Sequence, residues 1–216
     1  MGRRKKTPTN SKMFNVKKHN LKIRGVLHIG GHYGQEQGLY ESLGVHDVVW
    51  FEPLKDNFEV LSQNIGDSGI LINKALGNKT GKVEMNVSTN KGISSSVLQP
   101  TGLLKNYYPR IDFNEKEIVD MVRLDDVELD FEKYNLITID VQGYELEVLK
   151  GATNTLKNID YIVSEVNVKE LYHKCVQIEE LSSFLFKYGF ELVDKNMTKY
   201  GWGDALFIKS PACDTL

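Results

Sequence analysis

Apolar positions along the chain follow two rhythms. Short β-branched and aliphatic runs at residues 26–30, 47–52, 70–74, 136–140 and 161–165, and again at 190–193 and 205–208, read as strands. Between the early runs, apolar residues recur at helical spacing over 35–43, 54–63 and 144–156, and after the fifth run over 179–188. One helix per crossover predicts an α/β domain built on a mostly parallel sheet with helices on both faces. The end of the chain breaks this alternation. Residues 199–204 form a tight connection with no helix before the last strand, which predicts an antiparallel C-terminal hairpin. Residues 86–123 fit neither rhythm: this insert, rich in Ser, Gly and Asn ahead of an aromatic stretch at 103–110, is either a disordered connection or, the preferred reading, a lid.

Composition adds an asymmetry. The 216 residues suit one domain, yet residues 1–24 hold nine of the 27 bases and no acid, which leaves 18 bases against 29 acids in the rest. The organisation expected is a basic, flexible leader over 1–24, a folded body over 25–210 and a tail over 211–216. No stretch approaches the roughly 18 apolar residues of a membrane span, and no apolar core follows the basic start as it would in a secretory signal. Lys6 stands where a myristoylation signal needs Ser or Thr. Cys175 and Cys213 have neither a disulfide framework nor zinc-ligand spacing, so a cytoplasmic protein with reduced thiols and no metal is expected.

Candidate chemistry gathers at strand ends. Gly30 and Gly31 follow the first strand and leave room for a ligand against the backbone, Gly34 eases entry into the next helix, and amides at that helix start are candidates for holding a carboxylate or phosphate. Against the dinucleotide pattern G-x-G-x-x-G the first glycine falls on Ile29, which argues against a nicotinamide or flavin. Glu52 ends the second strand about 20 residues beyond the glycine turn, where an acid accepts hydrogen bonds from ribose hydroxyls, and Pro53 is suited to start the next helix. Ala75 and Leu76, after the third strand, are candidates for apolar contact with an adenine. Asp140 terminates the central strand and is the first candidate for a general base, with orienting a ligand or capping the helix near Gly143 as its rival roles. Glu165 ends the next strand across the same crevice, and His32 lies in the glycine turn within range of an acceptor. Glu145, His173, Ser95 and Ser96 are candidate substrate contacts, and Glu145 is equally placed to be a capping carboxylate.

Taken together, residues 30–34, Phe51 to Pro53, 94–98, 122–126, 139–152 and 204–207 resemble, in order, the motifs of FkbM-family methyltransferases. The resemblance covers about residues 26–209. It implies a Rossmann-like class I methyltransferase fold with a seven-stranded sheet, S-adenosylmethionine as cofactor, and O-methylation of a hydroxyl on a sugar, glycan or other small molecule. It also implies cofactor contacts from His28, Gly30, Gly31, Gly34, Glu52, Pro53, Ala75, Leu76 and Asp140, with Asp140, Glu165 and His32 nearest the chemistry. Three positions depart from the family pattern: His28 stands where Asp is usual, Gly31 where Ala is, and Gln142 where Glu is common. Either His28 then reaches the methionine amino group through a water, or the cofactor is held differently. Two alternatives accompany this reading. One is RNA ribose 2'-O-methylation, suggested by the basic leader and needing a lysine–acid set drawn from Lys22, Asp140, Lys169 or Lys174, and Glu191 or Asp194. The other is a non-catalytic partner-binding module that keeps the fold.

Overall fold

A computed structural model describes residues 18–210. In chain order its strands are β1 (Gly25–Ile29), β2 (Asp47–Phe51), β3 (Ile70–Ile72), β4 (Ala75–Leu76), β5 (Gly81–Val87), β6 (Glu115–Val122), β7 (Leu136–Ile139), β8 (Tyr161–Asn167), β9 (Phe190–Met197) and β10 (Trp202–Lys209). The α-helices are α1 (Gln37–Ser42), α2 (Lys55–Ile65), α3 (Gly102–Tyr107), α4 (Glu145–Lys150) and α5 (Ile178–Phe186).

Seven strands form one sheet in the order β3-β2-β1-β7-β8-β10-β9. The first five pair in parallel, while β10 runs antiparallel to both neighbours. The expected sheet and C-terminal hairpin are therefore present. β1 and β7 are buried along their whole length, which is why they read as unbroken apolar runs. Alternate side chains enter two cores. Leu27, Val49, Ile137 and Ile162 pack with Leu146 and Leu149 of α4 and Leu181 of α5 on one face; Val26, Trp50, Leu136 and Val163 pack with Tyr40 of α1 and Leu61 of α2 on the other.

Several expectations need correction. The helical run over 144–156 stops at Lys150; Gly151 is its C-cap and packs so closely on Gly77 that a Cβ there would overlap the Gly77 carbonyl. The chain then restarts as a 3-10 turn (Thr155–Asn158), capped by the Asp125 carboxylate accepting from the Asn154 and Thr155 amides at 2.9–3.2 Å. Pro53 does not open α2: Leu54 is its N-cap and Lys55 its first residue. The insert over 86–123 is not structureless, since β6, the end of β5 and α3 lie in it, and β4, β6 and β5 form a second sheet in that order. Of the basic leader, residues 18–24 are packed rather than free. Leu21 and Ile23 lie against the α1-side core, and Lys18 and His19 hold Asp194 at 2.7 and 2.9 Å, drawing its carboxyl down to about 2. Residues 1–17 and the 211–216 tail, with Cys213, lie outside the described residues. Among the described residues no helix is long and apolar enough to cross a membrane.

Candidate active site

The glycine turn after β1 is folded tightly against its neighbours. Gly30 has φ +86°, and a Cβ there would overlap the Asp140 carbonyl, so the turns after β1 and β7 touch backbone to backbone. A Cβ on Gly31 would press on Leu61 and Trp50, and one on Gly34 on Ile65 and Leu61. The room these glycines leave is filled by the chain itself. Nor are the amides of the turn free for an anion: Gly30 and Gly31 donate to the Phe51 carbonyl at 3.0 and 2.9 Å, Gly34 to Gly31 at 2.8 Å, and His32 to the Glu52 carboxylate at 2.8 Å.

Glu52 directly follows β2 and also accepts from the Leu54 amide at 3.0 Å. Burial outweighs these bonds and pushes its carboxyl up to about 7. His32, at φ +44°, has both ring nitrogens engaged. Its Nε2 lies 2.8 Å from the Lys91 carbonyl and so carries the proton, while Nδ1 accepts from Gln35 Nε2 at 2.7 Å. Ala75 and Leu76 lie in β4 with their side chains buried in the cores, not open to a ligand. His28 is likewise inside: 1% exposed, it stacks on Trp50 at 4.4 Å and pairs through Nδ1 with Tyr40 Oη at 2.8 Å. Its Nε2 is 3.9 Å from a Glu36 carboxylate oxygen. In this position His28 packs inside the core rather than toward a ligand, and Glu36, at the start of α1, is its charged neighbour.

The second cluster lies where β7 and β8 end. Gln142, at φ +54°, donates from Nε2 to Asp140 Oδ1 at 2.7 Å and to both Glu165 oxygens at 3.2 Å. Its Oε1 accepts from the Tyr172 hydroxyl at 2.9 Å, and that hydroxyl is also 2.8 Å from the Ser94 carbonyl. One amide thereby joins the two predicted acids, and one phenol joins that amide to the insert. Tyr172 was missed because its role depends on contacts 30 and 78 residues away. Burial and the charge of Glu165 drive its phenol well above the usual value. The N-cap of α4 is Tyr144, whose side chain makes no capping bond.

Glu145 is fully buried and accepts through Oε1 from the Val141 and Gly143 amides at 3.2 and 3.0 Å, while its buried Oε2 has no hydrogen-bond partner among the described residues. Burial pushes this carboxyl up to about 7. It holds the turn between β7 and α4 from inside and is sealed from any acceptor in this conformation. Ser95 and Ser96 also face inward. Ser95 Oγ accepts from the Ser88 amide at 2.9 Å, and Ser96 Oγ donates to the Gln142 carbonyl at 2.8 Å while accepting from the Leu98 amide at 3.0 Å. His173 is exposed and tied in by its backbone, to the Gln99 carbonyl at 2.8 Å. Of the lysine–acid set considered for ribose methylation, two members have other neighbours. Lys22 receives the Asn135 amide beside the amino end of β7, opposite to Asp140, and Asp194 is paired with Lys18 and His19.

Residues 28–192 match the methyltransferase FkbM domain. The chain is 30% identical over 153 residues to the 2-O-methyltransferase NoeI of Sinorhizobium fredii, covering 66% of this chain and 62% of that protein. It is 27% identical over 124 residues to the hexuronic acid methyltransferase AglP of Haloferax volcanii, covering 56% and 47%. The aligned region thus spans about half to two thirds of these curated relatives. Among solved structures, the ribosomal protein L11 methylase of Lactobacillus delbrueckii subsp. bulgaricus superposes with a TM-score of 0.57 at 11% identity, over 94% of this chain and 78% of that one. Magnesium protoporphyrin IX methyltransferase of Synechocystis, solved with its cofactor, gives 0.53 at 10%, over 92% and 76%. These likenesses establish the fold.

The residues present fit the cofactor of such a fold. Glu52 directly follows β2 with a carboxylate that accepts only amide hydrogens, the acceptor chemistry two ribose hydroxyls require, and the Gly30 turn meets Asp140 beside it. With the family model matching most of its length, this chain belongs to the FkbM methyltransferases.

Proposed function

We propose that the protein O-methylates a hydroxyl of a sugar or similar small molecule, with Glu52 holding the S-adenosylmethionine cofactor and Asp140 and Glu165 facing the acceptor. The observation that carries this reading is the Gln142 amide bridging those two carboxylates at the carboxyl ends of adjacent central strands, where ligands of open α/β sheets sit. The cofactor supplies a methyl group as a sulfonium, whose S–C bond breaks as the new O–C bond forms. What the protein must add is in-line placement of the hydroxyl and removal of its proton. A carboxylate at Asp140 takes that proton, and Glu165, held beside it, orients the hydroxyl. His32 is less suited to the base role, because its acceptor nitrogen is occupied by Gln35. The names of NoeI and AglP support oxygen and sugar as the target. Cytoplasmic work is part of this reading, and the buried free thiol of Cys175 suits a reducing compartment.

The test is S-adenosylhomocysteine release with a panel of methyl hexosides and methyl hexuronides. Turnover of at least one sugar is expected, falling about 100-fold or more in Asp140→Ala, the scale of general-base loss, with the circular dichroism spectrum unchanged. Full turnover in that variant would remove Asp140 from the reaction; cofactor binding with no methylated product from any acceptor would favour the non-catalytic module.

A further inference from the structure

The sheet face that carries Glu165 continues past it. Strand alternation puts Glu165 and Asn167 of β8 on one side with their partners Asp204 and Trp202 of β10. Two segments that the parallel sheet does not need meet over this patch. The end of α3, inside the insert, brings Tyr107 and Tyr108; the turn from β9 to β10 brings Tyr200. Trp202 Nε1 donates to the Tyr108 hydroxyl at 2.7 Å, and the Tyr200 ring lies 5.2 and 5.3 Å from those of Tyr107 and Tyr108. All four rings are half-buried, each keeping part of its surface open to solvent.

The shelf adjoins the carboxylates. Tyr108 feels the charge of Glu165, and Trp202 stands two residues from Asp204 on the same face. Its rim is basic in an otherwise acidic body: Lys169 Nζ donates to the Tyr107 hydroxyl at 2.8 Å, and Lys199 Nζ lies 5.0 Å from the Tyr200 ring centroid. Beneath Trp202, the side-chain amide of Asn167 is buried with neither its nitrogen nor its oxygen partnered among the described residues. A buried primary amide without partners is rare in a finished core and marks a place where a polar group is still to arrive.

Building on the proposed function, we infer that these four rings are the acceptor shelf and that its ligand is an acidic pyranose of the hexuronic type. The C–H face of the sugar ring lies on the Tyr200 and Tyr108 rings, a hydroxyl turns toward Asp140 and Glu165, the sugar carboxylate meets Lys169 and Lys199, and the amide of Asn167 receives a further polar group as the turn at Tyr200 adjusts. Neutral sugars lose the cationic rim and bind less well.

Saturation-transfer NMR tests this on the full chain with S-adenosylhomocysteine present, using methyl glucuronide and methyl glucoside as probes. The glucuronide is expected to show stronger saturation, concentrated on its ring C–H protons. Tyr200→Ala is expected to abolish that signal, and Lys169→Ala to bring the two sugars level, while calorimetric affinity for S-adenosylhomocysteine stays within twofold in both variants. Saturation that survives Tyr200→Ala, equal saturation of both sugars by the unsubstituted protein, or none at all would overturn the shelf as an acidic-sugar site. The outcomes separate the two proposals: methylated sugar formed equally well by Tyr200→Ala removes the shelf and leaves the O-methylation reading standing, whereas cofactor binding without any sugar product or saturation removes both.

Discussion

Gln142 is the residue on which the geometry of the site turns. Its amide supplies one neutral donor to two acids held side by side. Gln142→Glu would put three carboxylates together and lose that donor; one must then hold a proton near neutral pH. We expect the rising limb of the kcat/KM pH profile to move up by about a unit or more, with affinity for S-adenosylhomocysteine at pH 8 changed little. An unmoved profile would mean that neither acid acts as the base. Gly30 makes a second prediction. With φ +86° and the Asp140 carbonyl against its Cα, Gly30→Ala forces both backbone strain and a steric shift, and should lower unfolding free energy by about 1–3 kcal/mol in urea titration. The two residues differ in how legible they are. Gly30 and Glu52 follow from position, because a strand running into a glycine or an acid has few other uses. Gln142 does not, since its role exists only once Glu165, 23 residues on, and Tyr172 arrive around it.

Among elements, the parallel strands were legible because burial on both faces writes them as apolar runs. The second sheet was not. In β6 the inward positions include Glu117 and the outward ones Ile118, which is 67% exposed, so the alternation that announces a half-buried strand is inverted in the middle. Glu117 has its own reason to face α2: its carboxylate accepts from the Lys55 amide at 3.1 Å, satisfying a donor of the helix's first turn. In α4 the apolar spacing continues through Ala152, but the helix stops at Lys150 and its C-cap Gly151 packs closely on Gly77. Between β5 and β6 the loop at 88–96 is stitched to the β7 turn by Ser96, whose buried hydroxyl serves the Gln142 carbonyl and the Leu98 amide. Ser96→Ala leaves both without a partner and should cost about 1–3 kcal/mol in urea unfolding. Because the same loop meets Tyr172 through the Ser94 carbonyl, the variant should also lower kcat more than it raises the KM for the methyl donor. A stability loss with kcat intact would make the loop a purely structural brace.

Across the whole molecule, two buried carboxylates tie folding and cofactor binding to pH in opposite senses. Glu52 and Glu145 both have their folded pKa pushed up to about 7 from 4.5, by burial. Between those values the folded state binds protons that the unfolded state has already released, so their contribution to stability falls as pH rises from about 4.5 to 7 and is level above that. For Glu145, whose buried Oε2 has no hydrogen-bond partner among the described residues, the full shift corresponds to on the order of 3 kcal/mol. Glu145→Gln keeps the Oε1 acceptor for Val141 and Gly143 while removing the charge. Its stability relative to the unsubstituted protein should therefore improve from pH 5 to about 7 and level off above that in urea titrations; a constant difference would place no titrating group at that position. Glu52 gives the opposing trend. Ribose hydroxyls donate best to the ionised carboxylate, so binding of S-adenosylhomocysteine should draw a proton off Glu52 and tighten about tenfold between pH 6 and 8. Calorimetry in buffers of different ionisation enthalpy would count that proton, and Glu52→Gln should bind weakly with no pH dependence. The pH at which the pocket is best charged for its cofactor is thus one at which the fold has surrendered part of its stability, and added S-adenosylhomocysteine should restore more of it at pH 8 than at pH 6.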